Sequence, residues 1–357
     1  MHVKVVGAGS IGNHLAQASR RAGWQVTVTD VDEAALRRMR DDLYPARYGK
    51  WDSAIQQYVA GEEPKGVYDI IMIGTPPDVR MKIARRELAE KPRLLLLEKP
   101  LCDPNARELK EVVAQAKKQK TIVLVGYDHV VAQSVEFVKN LLTKKLFGEP
   151  LTLDVEFREH WAGIFKAHPW LSGPHDTYLG HIGRGGGASG EHSHALHLWQ
   201  HLARAGGLGT WKDMTAVYDM KKDAKKKTEY DAIAAFTFMT DKGKLGRVVQ
   251  DVVTQPTRKW ARMQGTEGFV EWYCNGKPEG DLVRWQKKGA SAPQEKVFAK
   301  KRPDDFYQEI LHIGDILNKK VTPADSPLSI ESGIRVMEVL KTAYPKRGTS
   351  RALIKRL

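Results

Sequence analysis

The first third of the chain alternates short, continuous apolar runs with stretches of helical periodicity. Val3 to Val6 is the first apolar run, and Trp24 to Thr29 (WQVTVT), Val67 to Ile73 (VYDIIMI), Arg93 to Leu97 (RLLLL) and Thr121 to Val125 (TIVLV) follow it. Runs of this length without polar alternation predict strands buried on both faces. Helices are predicted between them. They cover Asn13 to Ala22, a span capped by Asp32 and running to about Leu43, Asp78 to Leu88, and Pro104 to Lys118 with its proline near the first turn. Such alternation predicts an α/β domain built on a doubly wound parallel sheet.

From Pro150 the pattern changes. Pro150 to Arg158 (PLTLDVEFR) alternates as a strand with one buried face. A long loop rich in Gly, His and Trp follows, then a helix near Glu191 to Ala203. Met214 to Met220, Ala232 to Met239, Arg247 to Thr254, Arg262 to Tyr273 and Leu282 to Lys287 read as strands joined by short turns, hence an antiparallel sheet in an α+β domain. Along one of them, Ala234, Phe236 and Phe238 point to the domain's own helices. Ile233, Ala235, Thr237 and Met239 form an opposite face, which self-association would cover. Phe306, Ile310, Ile313 and Leu317 share one helical face, and Ser329 to Tyr344 is a further helix. The expected organisation is a first domain over 1–126, a second over 127–340, and a segment 341–357 returning to the first domain.

A length of 357 residues agrees with two domains. No run of about 18 apolar residues predicts a membrane span. A strand starting almost at Met1 leaves no room for a signal peptide. Cys102 and Cys274 form no disulfide pattern, so a reducing cytoplasm is expected. The net charge of +14 raises the question of nucleic acid. However, the densest basic run, Lys221 to Lys227 (KKDAKKK), has no interleaved aromatics and reads as a solvated hairpin loop. No nucleic-acid partner is expected. The charge instead favours anionic small molecules by steering.

Gly7-Ala8-Gly9-Ser10-Ile11-Gly12 joins the first strand to the first helix. G-x-G-x-x-G in that position is the dinucleotide-binding context. Gly7 permits the tight turn, Gly9 lets backbone approach a pyrophosphate, and Gly12 lets helix and strand pack closely. The N–H groups at the helix start face the phosphates. The second strand ends at Asp30, about 20 residues past the glycines, where a carboxylate accepts hydrogen bonds from the ribose hydroxyls and repels a 2′-phosphate. NAD is therefore predicted over NADP, with Arg37 and Arg38 softening the preference.

The loops beginning at Gly7, Gly74, Glu98 and Gly126 leave the carboxyl edge of the predicted sheet, where this architecture binds ligands. In Glu98-Lys99-Pro100, a lysine could donate a hydrogen bond or proton to a substrate oxygen, and Glu98 could hold the ammonium or the cofactor. The competing reading is an exposed Glu–Lys pair in a turn. After Gly185-Gly186-Gly187 comes Glu191-His192-Ser193-His194-Ala195-Leu196-His197. On a helix, His194, His197 and His201 lie on or near one face. Their spacing does not match H-E-x-x-H and no thiol pattern accompanies it, so no metal is expected. Packing at an interdomain helix stays open for His197 and His201.

Taken together, these segments resemble the glucose–fructose oxidoreductase/inositol dehydrogenase/MocA family, almost end to end. The resemblance is carried by the Gly7 motif, Gly74-Thr75-Pro76-Pro77, Glu98-Lys99-Pro100-Leu101, Val125-Gly126-Tyr127, Phe147-Gly148-Glu149-Pro150, and the triple glycine before the histidine helix. It implies a Rossmann domain followed by an α/β domain with an open, mostly antiparallel sheet. It further implies hydride transfer between nicotinamide and a hydroxyl carbon of a sugar, cyclic polyol or sugar derivative, in a homodimer or homotetramer. Lys99 matches the family's E-K-P lysine and His194 its catalytic histidine. The implied cofactor set is Gly7, Gly9, Ser10, Ile11, Gly12, Asp30, Thr75, Pro76, Glu98 and Lys99. The implied substrate set is Tyr127, Arg158, Trp161, Trp170, Tyr178, Arg184, Glu191 and His197, with the tryptophans stacking on a sugar ring and the cations meeting hydroxyls, a carboxylate or a phosphate. Basicity tilts the expectation towards an acidic or nucleotide-linked sugar. Departures from the family pattern fall at Arg80, Asp128-His129, Gly190 and His197, where the family usually has histidine, asparagine–arginine, aspartate and aspartate. Enzymes that retain and recycle NAD, and a non-catalytic NAD-binding regulator, are the competing functions.

Overall fold

The computed structural model describes residues 1–106, 108–166, 168–301, 303–343 and, as backbone, 351–354. The chain divides into two compact units, 1–128 with 303–331, and 129–302 with 332–357.

The first unit holds six parallel strands: β1 (His2–Val6), β2 (Gln25–Asp30), β3 (Ile55–Val59), β4 (Ile70–Ile73), β5 (Leu94–Glu98) and β6 (Ile122–Gly126), in the order β3-β2-β1-β4-β5-β6. Strand order reverses between β1 and β4, which is the doubly wound arrangement expected from the sequence. The central strands are leucine-, isoleucine- and valine-rich because helices cover both faces. Helices α1 (Ser10–Arg21), α2 (Glu33–Arg38), α3 (Tyr44–Tyr48), α4 (Pro77–Glu87) and α5 (Leu109–Gln119) lie between strands. Asp32 caps α2 by accepting Ala34 N–H at 2.9 Å. The expected single helix to Leu43 is interrupted, since Met39–Leu43 forms a π-helical turn before α3. β3 was not expected: Gln56 and Gln57 break the apolar run, and an edge strand needs only one buried face.

In the middle of β1, Lys4 is fully buried and pairs with Glu63 at 3.3 Å and, more closely, with Glu87 and Glu90. Burial opposes its charge, but the hydrogen bonds it donates to Glu87 and Glu90 prevail and raise its pKa. The first unit is completed from far along the chain. After the intervening residues of the second unit, α10 (Asp304–Leu317) packs on α1, with Phe306 stacked on His14 at 4.7 Å and Asp304 paired to Arg21 at 2.6 Å. Phe306, Ile310, Ile313 and Leu317 are buried, as their spacing predicted. Leu328 then accepts Val125 N–H at 2.8 Å. Residues 303–331 thus complete the first unit; of the segment 341–357 expected to return to it, 344–350 and 355–357 lie outside the described residues. The segment Arg351–Ile354 joins the other unit's sheet, where an exposed strand edge offers backbone partners.

The second unit is built on nine strands: β7 (Pro150–Arg158), β8 (Trp211–Asp223), β9 (Thr228–Thr240), β10 (Leu245–Asp251), β11 (Arg258–Gly265), β12 (Gly268–Lys277), β13 (Gly280–Lys287), β14 (Gln294–Ala299) and β15 (Arg351–Ile354). Their order is β14-β13-β12-β11-β7-β10-β9-β8-β15. All neighbours are antiparallel except β7 and β10. The run read as one strand from Arg262 to Tyr273 is two, reversed by a turn at Thr266-Glu267. Helices α6 (Gln133–Thr143), α7 (Trp161–Lys166), α8 (Gly187–Glu191) and α9 (His194–Ala205) come from the same unit, and α11 (Ile330–Ala343) falls mostly within it. On β9, Ala234, Phe236 and Phe238 are buried while Thr237 and Met239 are exposed, which matches the expected alternation. Leu151, Val217 and Leu245 add exposed apolar positions on β7, β8 and β10. The basic run is the exposed β8–β9 hairpin.

Candidate functional site

In the first unit, the glycine loop runs from β1 into α1. A Cβ on Gly12 would lie 1.8 Å from Gly7 O, so only glycine fits there. A Cβ on Gly9 would meet nothing within 4 Å, which leaves open the side that a pyrophosphate would take. Asp30 stands at the end of β2. One carboxylate oxygen accepts Ala8 N–H at 2.7 Å and the other accepts Asp32 N–H at 2.9 Å, so the acid is fixed to the glycine loop while each oxygen keeps a further lone pair. Arg47 donates to the carbonyl of Ser10 at 3.1 Å and to its hydroxyl at 2.9 Å, holding the first turn of α1. Beside Ser10, Ile11 is half-buried.

At the edge of β4, Thr75 Oγ1 is buried and has no hydrogen-bond partner among the described residues, and Pro76 precedes α4. Together, the open face at Gly9, the fixed Asp30 carboxylate and the orphaned Thr75 hydroxyl fit a dinucleotide. Arg80, only 2% exposed, accounts for one departure seen in the sequence. Its guanidinium donates to the backbone carbonyls of Thr75, Glu98 and Pro100, which ties the loops after β4 and β5 together. Glu98 ends β5. Its carboxyl occupies the space left by Gly126, where a Cβ would approach Oε1 to 2.7 Å, and its Oε2 accepts Lys99 N–H at 3.2 Å. Burial, and then the nearby Asp128 charge, push the Glu98 pKa up to about 7 against the pull of Arg80 and Lys99. Lys99 is half-buried at this edge. Tyr127 is fully buried within the first unit.

In the second unit, His194 opens α9. Its ring lies 4.8 Å from that of His129, edge-on, and stacks at 6.1 Å on Phe157 of β7. Three anchors set the position of α9. Gln250, buried in β10, donates to His192 O. Trp199 Nε1 donates to Leu153 O at 3.0 Å. Before α9, buried Asp231 accepts Ser189 N–H at 2.7 Å and the Ser189 hydroxyl at 3.2 Å. Gly187 (φ +77°) sits against that carboxylate, where a Cβ would come to 1.9 Å from Oδ1. Burial pushes the Asp231 pKa up to about 7, although the Ser189 bonds oppose the shift.

The other expected substrate residues separate into two groups. His197 is 1% exposed and meets Ser332 Oγ at 3.1 Å, so it packs against α11, apart from the His129–His194 pair. His201 is held neutral, its pKa lowered to about 4 by burial and then by Lys139 and Arg204. Arg158 is engaged with Asp251 at 2.5 Å. Trp161 and Tyr178 pack on a small cluster of Ile164, Leu179, Ala188, Ala232 and Val252. By contrast, Trp170 is half-buried beside His168 at 5.2 Å, Arg184 is exposed, and Glu191 is half-buried at the end of α8.

Residues 1–127 match a protein family described as an oxidoreductase family with an NAD-binding Rossmann fold. Three solved structures show the same fold over nearly the whole chain. An NAD binding oxidoreductase from Klebsiella pneumoniae is 17% identical over 95% of each chain, with a TM-score of 0.72. A levoglucosan dehydrogenase in complex with NADH and levoglucosan is 14% identical over 95% of each, with a TM-score of 0.74. An aldose-aldose oxidoreductase from Caulobacter crescentus is 16% identical over 96% of this chain and 95% of the other, with a TM-score of 0.70. No curated protein matches in sequence.

In the first unit, the glycine motif and Asp30 were readable from spacing alone. The Arg80 clamp, the His129 neighbour of His194, and the Gln250 and Asp231 anchors were not. Each joins residues far apart in the chain, and the available signal was only a polar residue standing at a strand or helix position that should be apolar.

Proposed function

We propose that the chain is an NAD-dependent dehydrogenase acting on a CH–OH group of a carbohydrate-like substrate: a sugar, a cyclic polyol, or an acidic or nucleotide-linked derivative. The observation that carries this reading is the pairing, on one sheet edge, of the dinucleotide cradle with Lys99. Asp30 would accept the ribose hydroxyls and favour NAD over NADP. The cofactor supplies an acceptor for hydride at nicotinamide C4. Lys99 would stabilise negative charge developing on the substrate oxygen, and His194 would take the hydroxyl proton, with His129 beside its ring. Of the loop residues expected to meet the substrate, Trp170, half-buried, and Arg184, exposed, would do so. The likeness to a levoglucosan dehydrogenase supports the substrate class through fold alone.

The test is a spectrophotometric screen of NAD reduction over sugars, sugar acids, inositols and nucleotide sugars. On the substrate it finds, Lys99→Ala and His194→Ala should each lower kcat by about 10²–10⁴. NAD affinity should hold in His194→Ala. Full activity in either variant refutes the assignment, and NAD that stays bound through gel filtration points instead to an enzyme that recycles it. We also propose a homodimer or homotetramer that covers the sheet face bearing Val217, Met239 and Leu245, each more than a third exposed. A monomer by light scattering at micromolar concentration would contradict this.

A further inference from the structure

Behind Lys99 the first unit buries four carboxyl groups: Glu98 at the end of β5, Asp128 after β6, and Asp305 and Glu309 on α10. Glu309 is 0% exposed, and neither of its oxygens has a hydrogen-bond partner among the described residues. Glu98 is 4% exposed, and only one of its oxygens is engaged, by Lys99 N–H. This is an unusual arrangement for a structural cluster. Carboxylates buried for stability are paired with cations or surrounded by donors, as around Lys4. We propose that Glu98 distinguishes the oxidised from the reduced dinucleotide by its own charge, and that Glu309 is a positioning residue held neutral behind it so that Glu98 alone responds. The proposal rests on the NAD reading above.

The charges around the pair divide the roles. Burial, and then the charges of Glu98, Asp128 and Asp305, hold Glu309 protonated, well above the usual carboxyl range. Burial, and then Asp128, raise Glu98 to about 7, while Arg80 of α4 and Lys99 pull against the rise. Helix α1, packed on α10, brings His14, stacked on Phe306, and Arg21, paired with Asp304. The backbone of Glu98 cannot retreat, because Arg80 holds its carbonyl and the carboxyl fills the Gly126 gap. On this fold the adenosine half of a dinucleotide lies over β1 to β3, by Asp30, and the nicotinamide half over β4 to β6. The oxidised ring carries a positive charge that the reduced ring lacks. In a site screened from water, one charge acts on another well beyond contact distance. The oxidised cofactor therefore favours the Glu98 carboxylate, and the neutral ring, which only displaces water, favours the acid.

The sign of the linkage follows. Binding of NAD⁺ releases a proton, so its affinity climbs as pH rises towards 7 and then levels. Binding of NADH takes a proton up, so its affinity falls as pH rises beyond 7. The experiment measures NAD⁺ and NADH affinities of the full chain by tryptophan fluorescence and by calorimetry in two buffers of different ionisation enthalpy. In the wild type, the affinity ratio of NAD⁺ to NADH should rise about tenfold or more between about pH 6 and about pH 8, with proton release and uptake of opposite sign. Glu98→Gln should flatten the ratio. Glu309→Gln should keep the wild-type pH dependence, because a neutral amide replaces a neutral acid. A pH-independent wild-type ratio overturns the proposal, as does an unchanged slope in Glu98→Gln. A shifted midpoint in Glu309→Gln overturns the neutral assignment of Glu309. If Glu98→Gln does not fold, the two-buffer calorimetry on the wild type decides. Binding of neither cofactor would instead remove the NAD reading, and this inference with it.

Discussion

Asp231 makes the second unit sensitive to pH over a range in which ordinary carboxylates are silent. Its carboxyl is fully buried under the triple-glycine turn, and burial raises its pKa from 3.8 to about 7. A carboxyl with a raised folded-state pKa binds more protons folded than unfolded. Its contribution to stability is thus fully present below about pH 4 and is lost as pH climbs through 7. From about pH 5.5 to about pH 8, the loss attributable to this one group is about 2 kcal/mol. Asp231→Asn removes the titration and keeps an oxygen for Ser189 N–H. Urea unfolding of wild type and variant should be followed at both pH values, with a signal from the second unit such as its tryptophans. Other groups, Glu98 among them, contribute equally to both proteins and cancel in the comparison. The wild type should lose about 2 kcal/mol more than the variant between the two pH values. An equal loss in both would show that Asp231 stays ionised in its pocket, and the reasoning from burial would fail.

Two further substitutions test the first unit. Asp30→Ala should weaken NAD by roughly 1.5–3 kcal/mol, the loss of charge-assisted contacts, and narrow its advantage over NADP. Tighter NADP than NAD binding by the wild type would refute the role of Asp30. Lys4→Met leaves Glu63, Glu87 and Glu90 without their shared ammonium and should cost about 3–5 kcal/mol in urea unfolding, whereas a loss under about 1 kcal/mol would mean that the three acids find other partners.

The parts of the molecule legible in the sequence were those decided by neighbours in the chain. The glycine loop, the capping Asp32 and the α10 stripe each depend on spacing within one or two turns, and Asp30 on an offset of about 20 residues from the glycines; each stands where spacing put it. The alternation of Ala234, Phe236 and Phe238 likewise gave the buried face of β9. Alternation is silent about which strands meet, however, so the parallel pairing of β7 with β10 could not be read. Lys99 was nominated by its place at the strand edge and by resemblance, His194 by resemblance. What sits around them, the Arg80 clamp and the His129 ring, is set by residues brought together only on folding.

Because the first unit is assembled from two stretches of chain, its completion is tied to the order of synthesis. The first 128 residues emerge early, but the helix that covers α1 and seals the acidic chamber behind Glu98 is encoded only after residue 302. Until the ribosome has delivered Phe306, Ile310 and Ile313, the surface they will cover remains bare, and residues 129–302 of the second unit must be made in between. The early domain therefore waits through most of translation as a sticky, unfinished intermediate, a state that chaperones hold and aggregation exploits. A nascent chain arrested before α10 should bind a hydrophobic dye and resist proteolysis poorly, and release of the finished chain should end both.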